Sequence, residues 1–167
     1  MKATEILMEE HRVIEKVLAS LETAANQILA GEIIPMDFFL KAVDFIKNFA
    51  DGSHHKKEEG ILFVALEANG MPQDAGPVGM MLAEHEEGRR LTRTMREGAE
   101  RVQRGDTSAV PQVIQNALDY VALLREHIQK EDNILFPMAD NIIPVEQYQR
   151  LLAEFNRIEN EDDIHEK

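Results

Sequence analysis

Two distant segments of the chain carry one pattern. His54-His55-Lys56-Lys57-Glu58-Glu59-Gly60-Ile61-Leu62-Phe63 and His127-Ile128-Gln129-Lys130-Glu131-Asp132-Asn133-Ile134-Leu135-Phe136 both read H-x-x-K-E-[DE]-x-I-L-F. Each copy fixes a histidine and a glutamate four residues apart. On an α-helix such a pair differs by roughly 40° in direction and roughly 6 Å in height, so both side chains reach one point. An imidazole and a carboxylate converging there can bind one metal ion, or let the carboxylate bridge two.

The rest of the chain also reads as helix, because β-branched runs and two-residue alternation are nearly absent. Apolar steps of three and four predict helix 1 from about Thr4 to about Ala30, closed by Gly31, with Leu7, His11, Ile14, Leu18, Leu21, Ala25 and Ile28 on one stripe. Pro35 opens helix 2, which runs to about Ala68 with room for a bend at Gly52. The glycine- and proline-rich stretch from Asn69 to Gly79 is a loop. Helix 3 is expected from about Val78 to Arg104, and helix 4 from Thr107–Pro111 to about Phe136, ahead of Pro137. A fifth helix, about 144–159, places Val145, Tyr148, Leu151, Leu152, Phe155 and Ile158 on one side. The expected fold is all-α: an up-down-up-down four-helix bundle with a short additional C-terminal helix. It forms one domain over 1–160, with the bundle core over 4–137 and an acidic tail, 161–167, that frays. Helix 5 would cap one end or bind a partner, including a second copy of the chain.

The stripes decide which histidines point inward. Phe39, Val43, Ile46, Ala50, His54, Glu58, Ile61 and Ala65 follow one another on the apolar face of helix 2, whereas His55 and Glu59 continue the polar series Lys41, Asp44, Asn48 and Gly52. His54 and Glu58 are therefore expected inside, with His55 and Glu59 nearer the rim. Helix 4 gives Ile114, Ala117, Val121, Leu124, His127, Glu131 and Ile134; helix 3 gives Val78, Met81, His85, Gly88, Thr92, Met95 and Ala99. Each long helix thus puts one histidine on its apolar face.

A lone histidine such as His11 on such a face is more often a hydrogen-bonded core residue than a ligand. Four of them with two buried glutamates are different, because a carboxylate in an apolar core costs several kcal/mol unless a cation or a proton neutralises it. Glu86 and Glu87 read as solvated, and His165 as surface. Bulk properties exclude partners: a net charge of −13 repels nucleic acid and anionic membranes. Without cysteine there is no thiolate chemistry, iron–sulfur ligation or cysteine-rich zinc site. The acidic first residues do not form a signal peptide and no apolar stretch is long enough to span a bilayer, so the expected location is cytoplasmic.

The segments Glu10-His11-Arg12, HHKKEEGILF, Ala83-Glu84-His85-Glu86-Glu87-Gly88-Arg89 and Glu126-His127 through Pro137 resemble, in order and one per helix, the hemerythrin-like or HHE cation-binding proteins. The resemblance covers about residues 4 to 137. It implies a non-haem pair of iron ions, oxo- or hydroxo-bridged and spanned by two carboxylates, with His11 and His54 on one iron, His85 and His127 on the other, and Glu58 and Glu131 as bridges. Mixed imidazole and carboxylate ligation suits iron. The oxygen-carrying members have a further histidine four residues after the helix 3 ligand, where this chain has Arg89, and an aspartate where it has Asp132, one residue past Glu131. Arg89 cannot ligate. It would pair with a bridging carboxylate or turn to solvent, and His55, Glu59, Asp132 or water would fill the remaining position. The resemblance implies binding or sensing of dioxygen or a related small oxidant, peroxide or nitric oxide. The alternatives are an enzyme reducing peroxide or nitric oxide or oxidising ferrous iron, and an iron-storage or scaffold bundle.

Overall fold

The computed structural model describes the backbone of residues 1–166 and the side chains of residues 1–161; His165 lies outside the described side chains. Among the described residues there is no strand. Helix α1 is Ala3–Leu29. Helix α2 is a continuous rod over 36–68, α-helical at Met36–Phe45, His55–Lys57 and Phe63–Ala68, with π-helical turns at Ile46–His54 and Glu58–Leu62. Helix α3 is Gly76–Gln103. Helix α4 spans 110–142, as Val110–Lys130, a π-turn at Glu131–Leu135, and Phe136–Ile142. Helix α5 is Tyr148–Glu166, after a 3₁₀ turn at Val145–Gln147. No helix among the described residues is long and apolar enough to cross a membrane.

The regular helices follow their stripes. On α1, Leu7, His11, Ile14, Leu18, Leu21 and Ala25 are buried; on α3, Val78, Met81, His85, Gly88, Thr92, Met95 and Ala99 are buried. Gly31 takes a φ of 95°, the left-handed turn that ends α1. Thr4 does not cap α1; it lies inside the first turn and donates to Asp140 at 2.8 Å.

The π-turns change the register; Glu58–Leu62 and Glu131–Leu135 fall at the same place in the two copies of the repeat, and Ile46–His54 leads into the first copy. A π-turn closes i→i+5 hydrogen bonds and holds more residues per turn than an α-turn. Along Ile46–His54 the inward direction therefore falls between His54 and His55, and both are buried, at 1% and 3% exposed. The expectation that His55 lies toward the rim is overturned for this reason. In α4 the same widening brings Leu135 inside and turns Ile134 out, 56% exposed, against its expected place in the stripe. Helix 4 also does not stop before Pro137. The π-turn relaxes the ladder just where proline has no N–H to give, and the rod continues to Ile142.

Around the bundle α1 packs against α2 and α4, and α3 packs against α2 and α4. The apolar interior has two layers. One holds Ile14, Leu18, Phe39, Ile46, Ala50, Leu91, Tyr120 and Leu124, and extends to the end of the bundle remote from α5. The other holds Leu7, Leu62, Phe63, Met81, Leu135 and Phe136, and is covered by Leu151, Phe155 and Ile158 of α5. The buried histidines and glutamates lie between the layers in sequence on every long helix: Leu7, His11, Ile14 on α1, and Leu124, His127, Glu131, Leu135 on α4.

Candidate metal centre

The structure brings His11, His54, Glu58, His85, His127 and Glu131 together, and adds His55. Two buried groups result: His11, His54, Glu58 and Glu131; and His55, Glu58, His85 and His127. Within each group one ligand-type atom per residue lies within 4.8 Å of every other, and Glu58 belongs to both. Its Oε1 is 2.7 Å from His54 Nε2, while Oε2 is 3.1 Å from His85 Nε2. Glu131 Oε1 is 3.2 Å from His11 Nε2 and 3.0 Å from His127 Nε2. Both carboxylates therefore reach across from one histidine group to the other. His85 Nε2 and His127 Nε2 are 3.1 Å apart, and the His55 and His85 rings stack with centroids 3.7 Å apart.

Every one of the five imidazoles also has a carboxylate on Nδ1. Asp132 holds His11 at 2.7 Å, Glu10 holds His54 at 3.0 Å, Asp51 holds His55 at 3.0 Å, Glu59 holds His85 at 2.8 Å and Glu84 holds His127 at 2.9 Å. An acceptor on Nδ1 fixes that nitrogen as the N–H and leaves the Nε2 lone pair free for a metal. Cations in turn secure four of the five carboxylates. Lys57 reaches Glu10 at 2.6 Å and Lys130 reaches Glu84 at 2.7 Å, while Arg12 pairs with Asp132 and Arg89 Nη2 reaches Glu59 at 2.9 Å.

This layering accounts for the repeat letter by letter. The lysine three residues after each histidine steadies the carboxylate that orients that histidine. The acidic residue after each glutamate, Glu59 or Asp132, orients the histidine of a neighbouring helix. The terminal phenylalanines cover the rings: Phe136 stacks on His11 at 5.5 Å and Phe63 on His85 at 6.2 Å. The orienting acids Glu10 and Glu84 were not singled out from the sequence, although each immediately precedes a histidine, Glu10-His11 and Glu84-His85, and that repetition was a signal for them. Of the reserve candidates, Glu59 and Asp132 fall outside both metal-type groups and act on Nδ1 atoms instead. Arg89 neither meets a bridging carboxylate nor hangs free; it pairs with Glu59 and Glu86.

The donors at the centre fit bound metal cations. His11 Nε2, His54 Nε2 and all four carboxylate oxygens of Glu58 and Glu131 are buried without a hydrogen-bond partner, since their close approaches lack hydrogen-bond direction. Two such carboxylates cost several kcal/mol each unless charge is supplied. In the protein without metal, protons supply it. Burial opposes charge on His11, but contacts with Asp132, Glu131 and Glu58 overcome it and hold the ring at about 11. Burial is likewise overcome by Glu58 and Glu59 at His85, held at about 9, and by Glu131 and Glu84 at His127, held at about 10. Burial pushes His55 well below the usual imidazole range, and the neighbouring His85 charge adds to this. Burial would raise Glu58, but His54, His11 and His85 hold it well below the carboxylate range.

Comparison with known proteins agrees with this geometry. Residues 2–139 match the family described as Hemerythrin HHE cation binding domain. Uncharacterised proteins of Mycobacterium bovis and of two strains of Mycobacterium tuberculosis are each 24% identical over 165 residues, covering 99% of this chain and 62% of theirs. The chain thus spans less than two thirds of the length of these relatives. No solved structure matches it. With its helices, its buried histidines and glutamates and a family match over most of its length, the chain belongs to the hemerythrin HHE cation-binding family.

Proposed function

We propose that the chain holds two iron ions, joined by an oxo or hydroxo group, and uses them to bind or sense dioxygen or a related small oxidant such as peroxide or nitric oxide. One observation carries the reading: five imidazoles and two carboxylates form two buried groups that share Glu58. A bound iron pair would supply reversible electron donation to the oxidant. His11 and His54 would hold one ion and His55, His85 and His127 the other, with Glu58 and Glu131 spanning both. The Nδ1 carboxylates keep the five rings oriented, and the two apolar layers exclude bulk water. With two imidazoles against three, the His11–His54 ion would have fewer protein donors and would be the one to take an exogenous ligand.

The ring of helix neighbours and the short connections support an up-down-up-down course for α1 to α4. Elemental analysis should give two irons per chain after expression with iron present. The optical spectrum of the reduced protein should gain a charge-transfer band in air and lose it on degassing. One zinc and no iron would overturn the metal assignment; irreversible oxidation would move the reading to an enzyme or a store.

A further inference from the structure

On a chain of net charge −13, one pocket gathers positive charge. It lies between α2 and α3, has a volume of about 390 Å³, and is lined by Val43, Lys47, Asp51, Arg89, Thr92, Arg93 and Arg96. Four of the seven are cations. Arg89, Arg93 and Arg96 recur at helical spacing on α3, and Lys47 faces them from α2. Arg96 is paired with Asp44 at 2.5 Å and Arg89 with Glu59 and Glu86. Among the described residues, Lys47 and Arg93 have no carboxylate within ion-pair distance. The single acid in the lining, Asp51, is already engaged as the acceptor for His55 Nδ1.

We propose that this pocket binds a small multivalent oxyanion, phosphate- or carboxylate-bearing, beside the metal centre. Guanidinium groups offer forked donors that match such oxygens, and an ammonium facing them closes the site from the other helix. The volume falls within the range of small-ligand pockets. The position also ties the site to the centre. Lys47 and Asp51 lie in the same π-helical segment, Ile46–His54, that delivers His54, and Asp51 is in direct contact with His55. An anion drawn to Lys47 would therefore act on a segment that sets the register of two of the five imidazoles. This inference does not depend on which metal is bound or on what oxidant reacts.

The test is calorimetric titration of the purified, metal-loaded protein with inorganic phosphate and, separately, with succinate, at constant ionic strength made up with sodium chloride. Metal content is measured before and after. Saturable binding of one anion per chain is expected, weakened about tenfold or more in the Lys47→Gln/Arg93→Gln variant, whose metal content should be unchanged. Preference for phosphate or for succinate identifies the ligand's oxyanion. No saturable binding of either probe would overturn the proposal. So would binding that is undiminished in the double variant, since the anion would then be held elsewhere, for example on the metal.

Discussion

The α1–α2 half and the α3–α4 half of the molecule are wired alike, but the first supplies three buried imidazoles and the second two. In the first, Lys57 steadies Glu10, Glu10 orients His54, and Glu59 reaches out to His85 of the other half. In the second, Lys130 steadies Glu84, Glu84 orients His127, and Asp132 reaches back to His11. The equivalent of His55 in the second half is Ile128, buried at 2%. One histidine thus turns a two-fold arrangement into an asymmetric one, with three imidazoles in one group and two in the other. Where the oxygen-carrying family members take a fifth imidazole from helix 3, this chain presents one from α2.

The largest effects should come from breaking that asymmetry. Glu58→Gln removes the carboxylate that belongs to both groups and should abolish binding of both ions. His55→Ala should reduce metal to about one ion per chain or less, a loss comparable to that of His54→Ala. Metal analysis of the three variants, with circular dichroism to confirm helix content, checks this. A His55→Ala protein that keeps its full metal complement would return His55 to a packing role.

The next effect separates metal-free from metal-loaded protein. His11, His127 and His85 are held at about 11, 10 and 9 in the folded metal-free chain, above the ordinary imidazole value. Groups raised by folding contribute stability that is fully present below about pH 6.5 and is lost as pH rises through their folded values. The metal-free protein should therefore melt at lower temperature as pH goes from 7 to 10, and metal uptake near pH 7 should release protons. The loaded protein, whose rings would be held by metal, should not show that decline. Equal slopes in thermal melts of the two forms would show that these rings are not the groups neutralising Glu58 and Glu131.

A third effect distinguishes the two lysines. Lys57 is fully buried and donates to Glu159 of α5 at 2.8 Å as well as to Glu10, whereas Lys130 is 36% exposed and serves Glu84. Lys57→Met would strand Glu10 and remove the polar tie from α2 to α5, and should cost about 2–3 kcal/mol. Lys130→Met should cost under about 1 kcal/mol, because water screens that pair. Comparable losses in urea melts would mean that the burial of Lys57 and its contact with Glu159 add nothing to stability.

The contrast between regular and π-turned helix also explains what could be read in the sequence. Helices α1 and α3 keep the α-helical period, so stepping by threes and fours located His11 and His85 and the residues around them. Helices α2 and α4 change period within the repeat. The repeat itself was legible, with His54, Glu58, His127 and Glu131, because a spacing of four survives a wider turn. What failed was the phase of the neighbours: His55 was expected outside and Ile134 inside. Nothing in the local letters announces a π-turn except Gly52, Gly60 and Pro137, and a glycine also reads as a bend and a proline as a stop. The orienting acids stayed hidden for another reason. Glu10 and Glu84 act on histidines of the next helix, and such pairing depends on how helices are set side by side.

The smallest effects concern Arg89, and they bear on why the fifth imidazole comes from α2. Arg89 is 29% exposed and acts through Glu59, whose Oε1 also accepts from His85 Nδ1. Arg89→Ala should weaken metal binding by about tenfold at most and stability by under about 1 kcal/mol, since Glu59 remains in place. Arg89→His alone should add no metal and no persistence to dioxygen binding, because the His55 ring already stacks on His85 where a further imidazole would enter. Combined with His55→Ala the same substitution should act differently. Position 89 follows His85 by one helical turn, so its imidazole can swing into the vacated space, and the double variant should recover part of the metal lost by His55→Ala. Recovery would show that the two halves tolerate the fifth imidazole from either helix, provided only one occupies the space. A double variant as poor in metal as His55→Ala would show instead that the widened turn of α2 supplies a position α3 cannot.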